Sequence, residues 1–149
     1  MLRREDGFLE MKNKTVLCIM VFTALLCGCA HKDKIKLDIF YATTCASCKA
    51  LENGLLLTLD KTDYEVVMHD IDTEDSIELY REIIDELENP GVSLKNDLSV
   101  PLIVYRGKLA MVGYTPAMDE LILKMLQEAR QGKLNINQLP SGVWVFKEE

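Results

Sequence analysis

Apolar and polar positions change period several times along the chain, and each change marks an element. Over residues 36–41 apolar side chains recur at every second position (Leu37, Ile39, Tyr41), which predicts a strand with one buried face. From residue 45 to about 59 the spacing lengthens to four, with Leu51, Leu55 and Leu59 in line. This predicts a helix, weakened by Gly54 and capped by Thr43 or Thr44. Residues 64–71 form a second β-prone run, expected to be a central strand. Asp72-Thr73-Glu74-Asp75 then places negative charge where a helix begins. Ile77, Leu79, Tyr80, Ile83, Ile84 and Leu87 carry helical spacing to about Glu88, and Asn89-Pro90-Gly91 stops it.

Residues 92–99 read as a connector. A strand is expected over 101–105, a turn at Arg106-Gly107, and a returning antiparallel strand over 108–112 that Gly113 ends. A last helix is expected over 116–131, opened by Pro116, with Met118, Leu121, Ile122, Met125 and Leu126 inward. The order β-α-β-α-β-β-α implies an α/β domain with a central mixed sheet flanked by helices. Residues 132–149 form a tail in which Val143-Trp144-Val145-Phe146 either adds an edge strand or docks on the domain, with Trp144 in a packing role.

The N-terminal part follows another logic. Lys12 and Lys14 precede an apolar stretch over 16–30, shorter than the roughly 20 residues that span a bilayer. A basic start, a short apolar core and small residues at its end fit a secretory signal. It closes on Leu26-Cys27-Gly28-Cys29, which resembles the lipobox of bacterial lipoproteins. That resemblance implies cleavage before Cys29, a lipid on its sulfur and attachment to a membrane in the cell envelope, outside the cytoplasm. The mixed charges of residues 1–10 make an unusual leader, so Met11 is the expected start. The expected division is signal 1–28, lipidated stalk 29–34, domain 35–131 and tail 132–149.

The formal net charge of -7 repels phosphate backbones, so nucleic acid is not an expected partner. With Cys18 and Cys27 lost in the signal and Cys29 carrying lipid, Cys45 and Cys48 remain as thiols. An exported compartment tolerates a disulfide between them.

Cys45-Ala46-Ser47-Cys48 sets two sulfurs one helical turn apart. A helix N-terminus carries about half a positive charge, which favours the Cys45 thiolate, and Lys49 adds a nearby cation. The thiolate is the species that attacks disulfides, so Cys45 is the expected nucleophile and Cys48 the resolving thiol. A purely structural bridge closing so short a loop would contribute about 2 kcal/mol. A zinc site would want four ligands, and besides this pair the mature chain offers only His31, on the stalk, and His69, in a strand.

Phe40-Tyr41-Ala42-Thr43-Thr44-Cys45-Ala46-Ser47-Cys48-Lys49, followed by Val100-Pro101-Leu102-Ile103-Val104 and Gly113, resembles the thioredoxin superfamily over residues 35–131. The resemblance implies a thioredoxin-like fold, a cis-proline at Pro101 facing the cysteines, and Val100 pairing with substrate backbone. It implies a thiol–disulfide oxidoreductase acting on exported protein thiols and disulfides, with no cofactor beyond the cysteine pair and with a redox partner in the membrane. Four positions depart from the family pattern. Ile39 stands where many members carry a buried Asp, and the adjacent Asp38 is expected on the opposite face. Thr44 replaces a frequent Trp, and the inner dipeptide is Ala-Ser. The alternative is a binding module of the same fold that carries copper or another soft metal on the cysteines; no Met or His lies beside them in sequence. A thiol peroxidase would need a Thr or Arg arrangement that the sequence does not place.

Replacing Cys29 by Ser is expected to abolish incorporation of radioactive fatty acid into the protein in cells; label that still enters would overturn the lipobox reading.

Overall fold

The computed structural model describes residues 33–90 and 92–148. The signal segment, the lipobox with Cys29, and His31 lie outside the described residues. No helix among the described residues is long and apolar enough to cross a membrane.

The first strand, β1 (Ile35–Tyr41), leads into α1 (Ala46–Asn53) and the short α2 (Leu55–Thr58). There follow β2 (Tyr64–Asp70), α3 (Glu74–Glu86) and α4 (Val92–Asn96). The hairpin β3 (Leu102–Tyr105) and β4 (Leu109–Val112) precedes a 3-10 turn (Pro116–Met118), α5 (Asp119–Arg130) and β5 (Val143–Val145). The five strands make one open mixed sheet in the order β2-β1-β3-β4-β5. β1 runs parallel to β2 and antiparallel to β3, and both pairs β3–β4 and β4–β5 are antiparallel.

Side-chain alternation divides the core into two layers. Leu37, Ile39, Ile103, Leu109 and Met111 meet Leu51 and Leu55 of α1 and α2 and Ile122, Met125 and Leu126 of α5 on one face. Phe40, Leu102, Val104 and Ala110 meet Tyr80, Ile83 and Ile84 of α3 and Leu94 of α4 on the other. The sheet is thus covered on both sides, as the element order implies.

Several expectations are corrected. β2 is an edge strand and not a central one. Its polar Glu65 and His69 alternate with Val66 and Met68, which remain partly exposed because no strand among the described residues covers them. The helix expected over 45–59 breaks at Gly54 into α1 and α2. Thr43 and Thr44 form a turn, and Cys45 itself takes the capping position. α3 stops at Glu86, because Leu87 turns extended and bridges to Phe146. Pro116 opens the 3-10 turn, and the α-helical register starts only at Asp119. In that register Leu121 faces solvent, and Ala129 takes a buried place. The tail resolves to the edge-strand option: β5 pairs with β4, and Trp144 packs against the second layer.

The break at Gly54 has a definite cause. A Cβ there would stand 2.6 Å from the Tyr114 hydroxyl and 2.9 Å from the Ala50 carbonyl oxygen. The hydroxyl occupies this space to accept a hydrogen bond from Leu55 N–H at 3.3 Å and to donate one to Asp119 Oδ1 at 2.7 Å. It thereby supplies a partner to the first N–H after the break and ties α2 to the start of α5. Burial and the carboxylate partner both raise the Tyr114 pKa above the ordinary phenol value. Gly54→Ala is expected to destabilise the protein by about 1–3 kcal/mol through overpacking. In chemical denaturation, adding Tyr114→Phe should make the combined cost smaller than the sum of the two; strict additivity would show that the hydroxyl is not what excludes a side chain.

Candidate active site

β1 delivers the chain to the end of the sheet, and Cys45 N–H donates to Ala42 O at 3.1 Å, closing the turn ahead of α1. Cys45 is the N-cap of α1, with extended backbone angles (φ -78, ψ 117). Its Sγ accepts a hydrogen bond from Cys48 N–H at 3.1 Å, the role that an oxygen plays in most caps. The sulfurs of Cys45 and Cys48 stand close to disulfide distance, with Cα atoms 5.2 Å apart, inside the range that a bridge allows. The two cysteines differ in access: Cys45 is part-exposed, whereas Cys48 is 2% exposed. Ser47 Oγ lies 3.2 Å from Cys45 Sγ, a contact that sequence spacing alone did not single out. Lys49 is exposed.

The second segment singled out from sequence comes to the same place. Val100 and Pro101 are joined by a cis peptide bond. The Val100 carbonyl oxygen lies 3.7 Å from Cys45 Sγ. Two contacts hold this segment. The buried Tyr80 donates its hydroxyl to Ser99 O at 3.1 Å, and Gly113 N–H donates to Pro101 O at 2.8 Å. Gly113 adopts φ +79, a left-handed conformation that favours glycine and turns the chain after β4. Burial pushes the Tyr80 hydroxyl up to about 12, so it stays protonated as a donor at any physiological pH. The Cys45–Cys48 turn and the Val100–Pro101 segment therefore meet at Cys45 and Val100, although 55 positions separate these two residues in sequence.

His69 has other work. It stacks on Phe40, with ring centroids 4.8 Å apart, and its Nε2 lies 2.8 Å from Asp38 Oδ1. Asp38 Oδ2 accepts from Arg106 Nε at 2.7 Å. Asp38 is 3% exposed, and alternation turns it to the side of β1 that carries Phe40, away from Ile39 and α1. This agrees with the expectation that Asp38 does not lie under the cysteines. Among the described residues no group of three or more His, Cys, Asp or Glu side chains is arranged to hold a metal ion.

Comparison of the chain with protein-family models, with curated proteins and with solved structures gives no match. The architecture itself, a mixed α/β sheet with a Cys45–Cys48 pair at the head of a helix, is compatible with a thioredoxin-like arrangement.

The Asp38 cluster generates an acid-stability prediction. Burial alone raises the carboxyl pKa, but the hydrogen bonds from His69 and Arg106 outweigh it and hold the group below its ordinary value. A lowered folded pKa contributes stability that is fully present above the unfolded value, about 3.9, and is lost as pH falls through the folded one. Asp38→Asn is expected to cost roughly 1–3 kcal/mol at neutral pH, since His69 and Arg106 lose a charged partner. Its stability should also fall less steeply than that of the unmodified protein below about pH 4. Parallel stability-versus-pH curves for the two proteins would show that Asp38 is not linked to folding.

Proposed function

We propose that the protein is a thiol–disulfide oxidoreductase of thioredoxin-like fold, lipid-anchored through Cys29 in the cell envelope, that exchanges Cys45–Cys48 with exported proteins. The observation that carries the reading is the asymmetry of the pair. Cys45 is part-exposed, caps a helix and receives a backbone N–H, whereas Cys48 is buried one turn on.

An N–H aimed at a sulfur stabilises it most when the sulfur is an anion. The Ser47 hydroxyl, 3.2 Å away, can donate to the same atom. In the reducing direction the Cys45 thiolate attacks one sulfur of a substrate disulfide and forms a mixed disulfide, and the other substrate sulfur leaves as a thiolate. Cys48, as thiolate, then attacks Cys45 Sγ. The second substrate sulfur leaves, the Cys45–Cys48 disulfide closes, and two electrons have passed to the substrate. The oxidising direction is the same sequence reversed. A redox partner in the membrane would restore the starting state.

Val100 next to Cys45 supports a role in aligning the substrate backbone, and the missing N–H of Pro101 leaves no donor there to compete for the sulfurs. Since Ile39 packs among apolar side chains and Asp38 is turned away, Cys48 has no carboxylate from β1 to take its proton. Resolution of the mixed disulfide is then the slow step.

Cys48→Ala is expected to accumulate mixed disulfides with exported proteins, seen as high-mass bands that a reductant removes. Cys45→Ala should trap none and should lose exchange with a small dithiol. Trapping by Cys45→Ala alone would reverse the roles. If neither variant traps a partner and the purified protein exchanges no disulfide, the enzyme reading fails.

A further inference from the structure

β2 presents its outer edge unpaired: among the described residues no strand lies beyond it. Its seven residues contain no proline and no lysine, and its register with β1 is unbroken. Proline, lysine and bulges are devices by which edge strands avoid further pairing; β2 has none of these, and its charged side chains are Glu65 and Asp70. Ile35 N–H donates to Asp63 O at 2.8 Å, and Ile71 N–H donates to Tyr41 O at 3.0 Å. Successive residues of a strand point their backbone groups to opposite sides, so the odd-numbered residues face β1. Val66 and Met68 therefore point their N–H and C=O groups outward, whereas the Asp70 carbonyl is taken up by Thr73 in the turn that follows. The side chains of Val66 and Met68 pair in register with Leu37 and Ile39, yet they stay 36% and 38% exposed. On the same side of the sheet, Leu57 of α2 is 76% exposed.

We infer that β2 pairs antiparallel with β2 of a second copy of the chain, about a two-fold axis at Val67. An antiparallel pair needs outward-pointing residues opposite outward-pointing residues. Of the registers that satisfy this, the one centred on Val67 overlaps the whole strand. It sets Val66 against Met68 as hydrogen-bonded pairs; the ladder ends there, because Tyr64 N–H already donates to Asp60 O and Asp70 O already accepts from Thr73. It sets Val67 against its own copy and Glu65 against His69 as the closer, non-hydrogen-bonded pairs. Apolar side chains meet apolar ones, a carboxylate meets an imidazole, and no like charges face each other. Shifting the register by two residues places Glu65 opposite Val67 or position 71 and loses the complementary pair. Because β1 and β2 are parallel, the Cys45–Cys48 pair lies toward the end of the sheet where β2 finishes. The two-fold axis therefore sends the two cysteine pairs to opposite ends of a ten-stranded sheet, and neither is covered. The inference does not depend on the redox reading.

A single added strand pair buries little area, so a concentration-dependent dimer is expected, not a permanent one. Sedimentation velocity of the full chain in mild detergent should show monomer and dimer in exchange. Glu65→Lys, at an exposed position, sets Lys against His69 twice per dimer and should weaken association about tenfold. Val67→Cys brings two thiols together across the axis. Mild oxidation should then link two chains at position 67, whereas Glu65→Cys, off the axis, should not link at position 65. A monomer at every concentration, or a dimer that Glu65→Lys leaves unchanged and that Val67→Cys does not cross-link, would overturn the proposal.

Discussion

Because β1 is hydrogen-bonded along both edges and packed on both faces, its buried residues decide where every layer sits. Leu37 and Ile39 anchor α1, α2 and α5 on one side, while Phe40 anchors α3 and α4 on the other. A slip of one residue would exchange these faces, so burial on both sides fixes the register strongly. The position of Cys45 follows directly, since the chain leaves the central strand at Tyr41 and closes its turn on Ala42 before the helix can begin. The Val100–Pro101 segment reaches the same point because β3 is the neighbour of β1 on the opposite edge from β2.

The same central strand carries a charge. A lone carboxylate at the Asp38 position would be costly, because burial disfavours its ionised form. His69 on β2 and Arg106 in the β3–β4 turn satisfy one oxygen each. The arrangement ties three segments that are remote in sequence. Arg106 stays in contact with solvent, so its charge is only partly desolvated and the penalty of a fully buried pair is avoided. His69 also covers Phe40 with its ring, so one side chain closes both the polar contact and the apolar layer at the edge of the sheet.

The mixed α/β architecture and most element positions were legible in the sequence because periodicity reports burial, and burial shaped these elements. Ile35–Tyr41 and Ile83–Ile84 are clear in this way. What periodicity could not report was decided by contacts at long range. The break at Gly54 depends on a hydroxyl sixty positions along the chain, at Tyr114; the glycine marks a weak point in the helix locally, but not that the helix ends there. The edge position of β2 shows only in Glu65 and His69, which alternate with its apolar residues and mark a strand that is not covered on both edges. At the candidate site, the cysteines and Val100–Pro101 stood out by residue type and spacing. Ser47, Tyr80 and Gly113 contribute through geometry: a contact to sulfur, a hydroxyl on Ser99 and a left-handed turn at the end of β4. Of these only Gly113 left a trace in the sequence.

Neither core layer is built from the cysteines. The clusters on the two faces of the sheet close around aliphatic and aromatic side chains, and Cys48 is buried beside Leu51 on the same helix. A bridge across a loop this short constrains the unfolded chain by only about 2 kcal/mol, a contribution small beside two packed layers. The hydrogen bond from Cys48 N–H to Cys45 Sγ behaves in the opposite way to the bridge: it gains strength when the disulfide opens and the sulfur carries charge. An interaction that favours the open, anionic sulfur, at a pair whose bridge contributes only about 2 kcal/mol, supports the proposed redox reading over a structural staple.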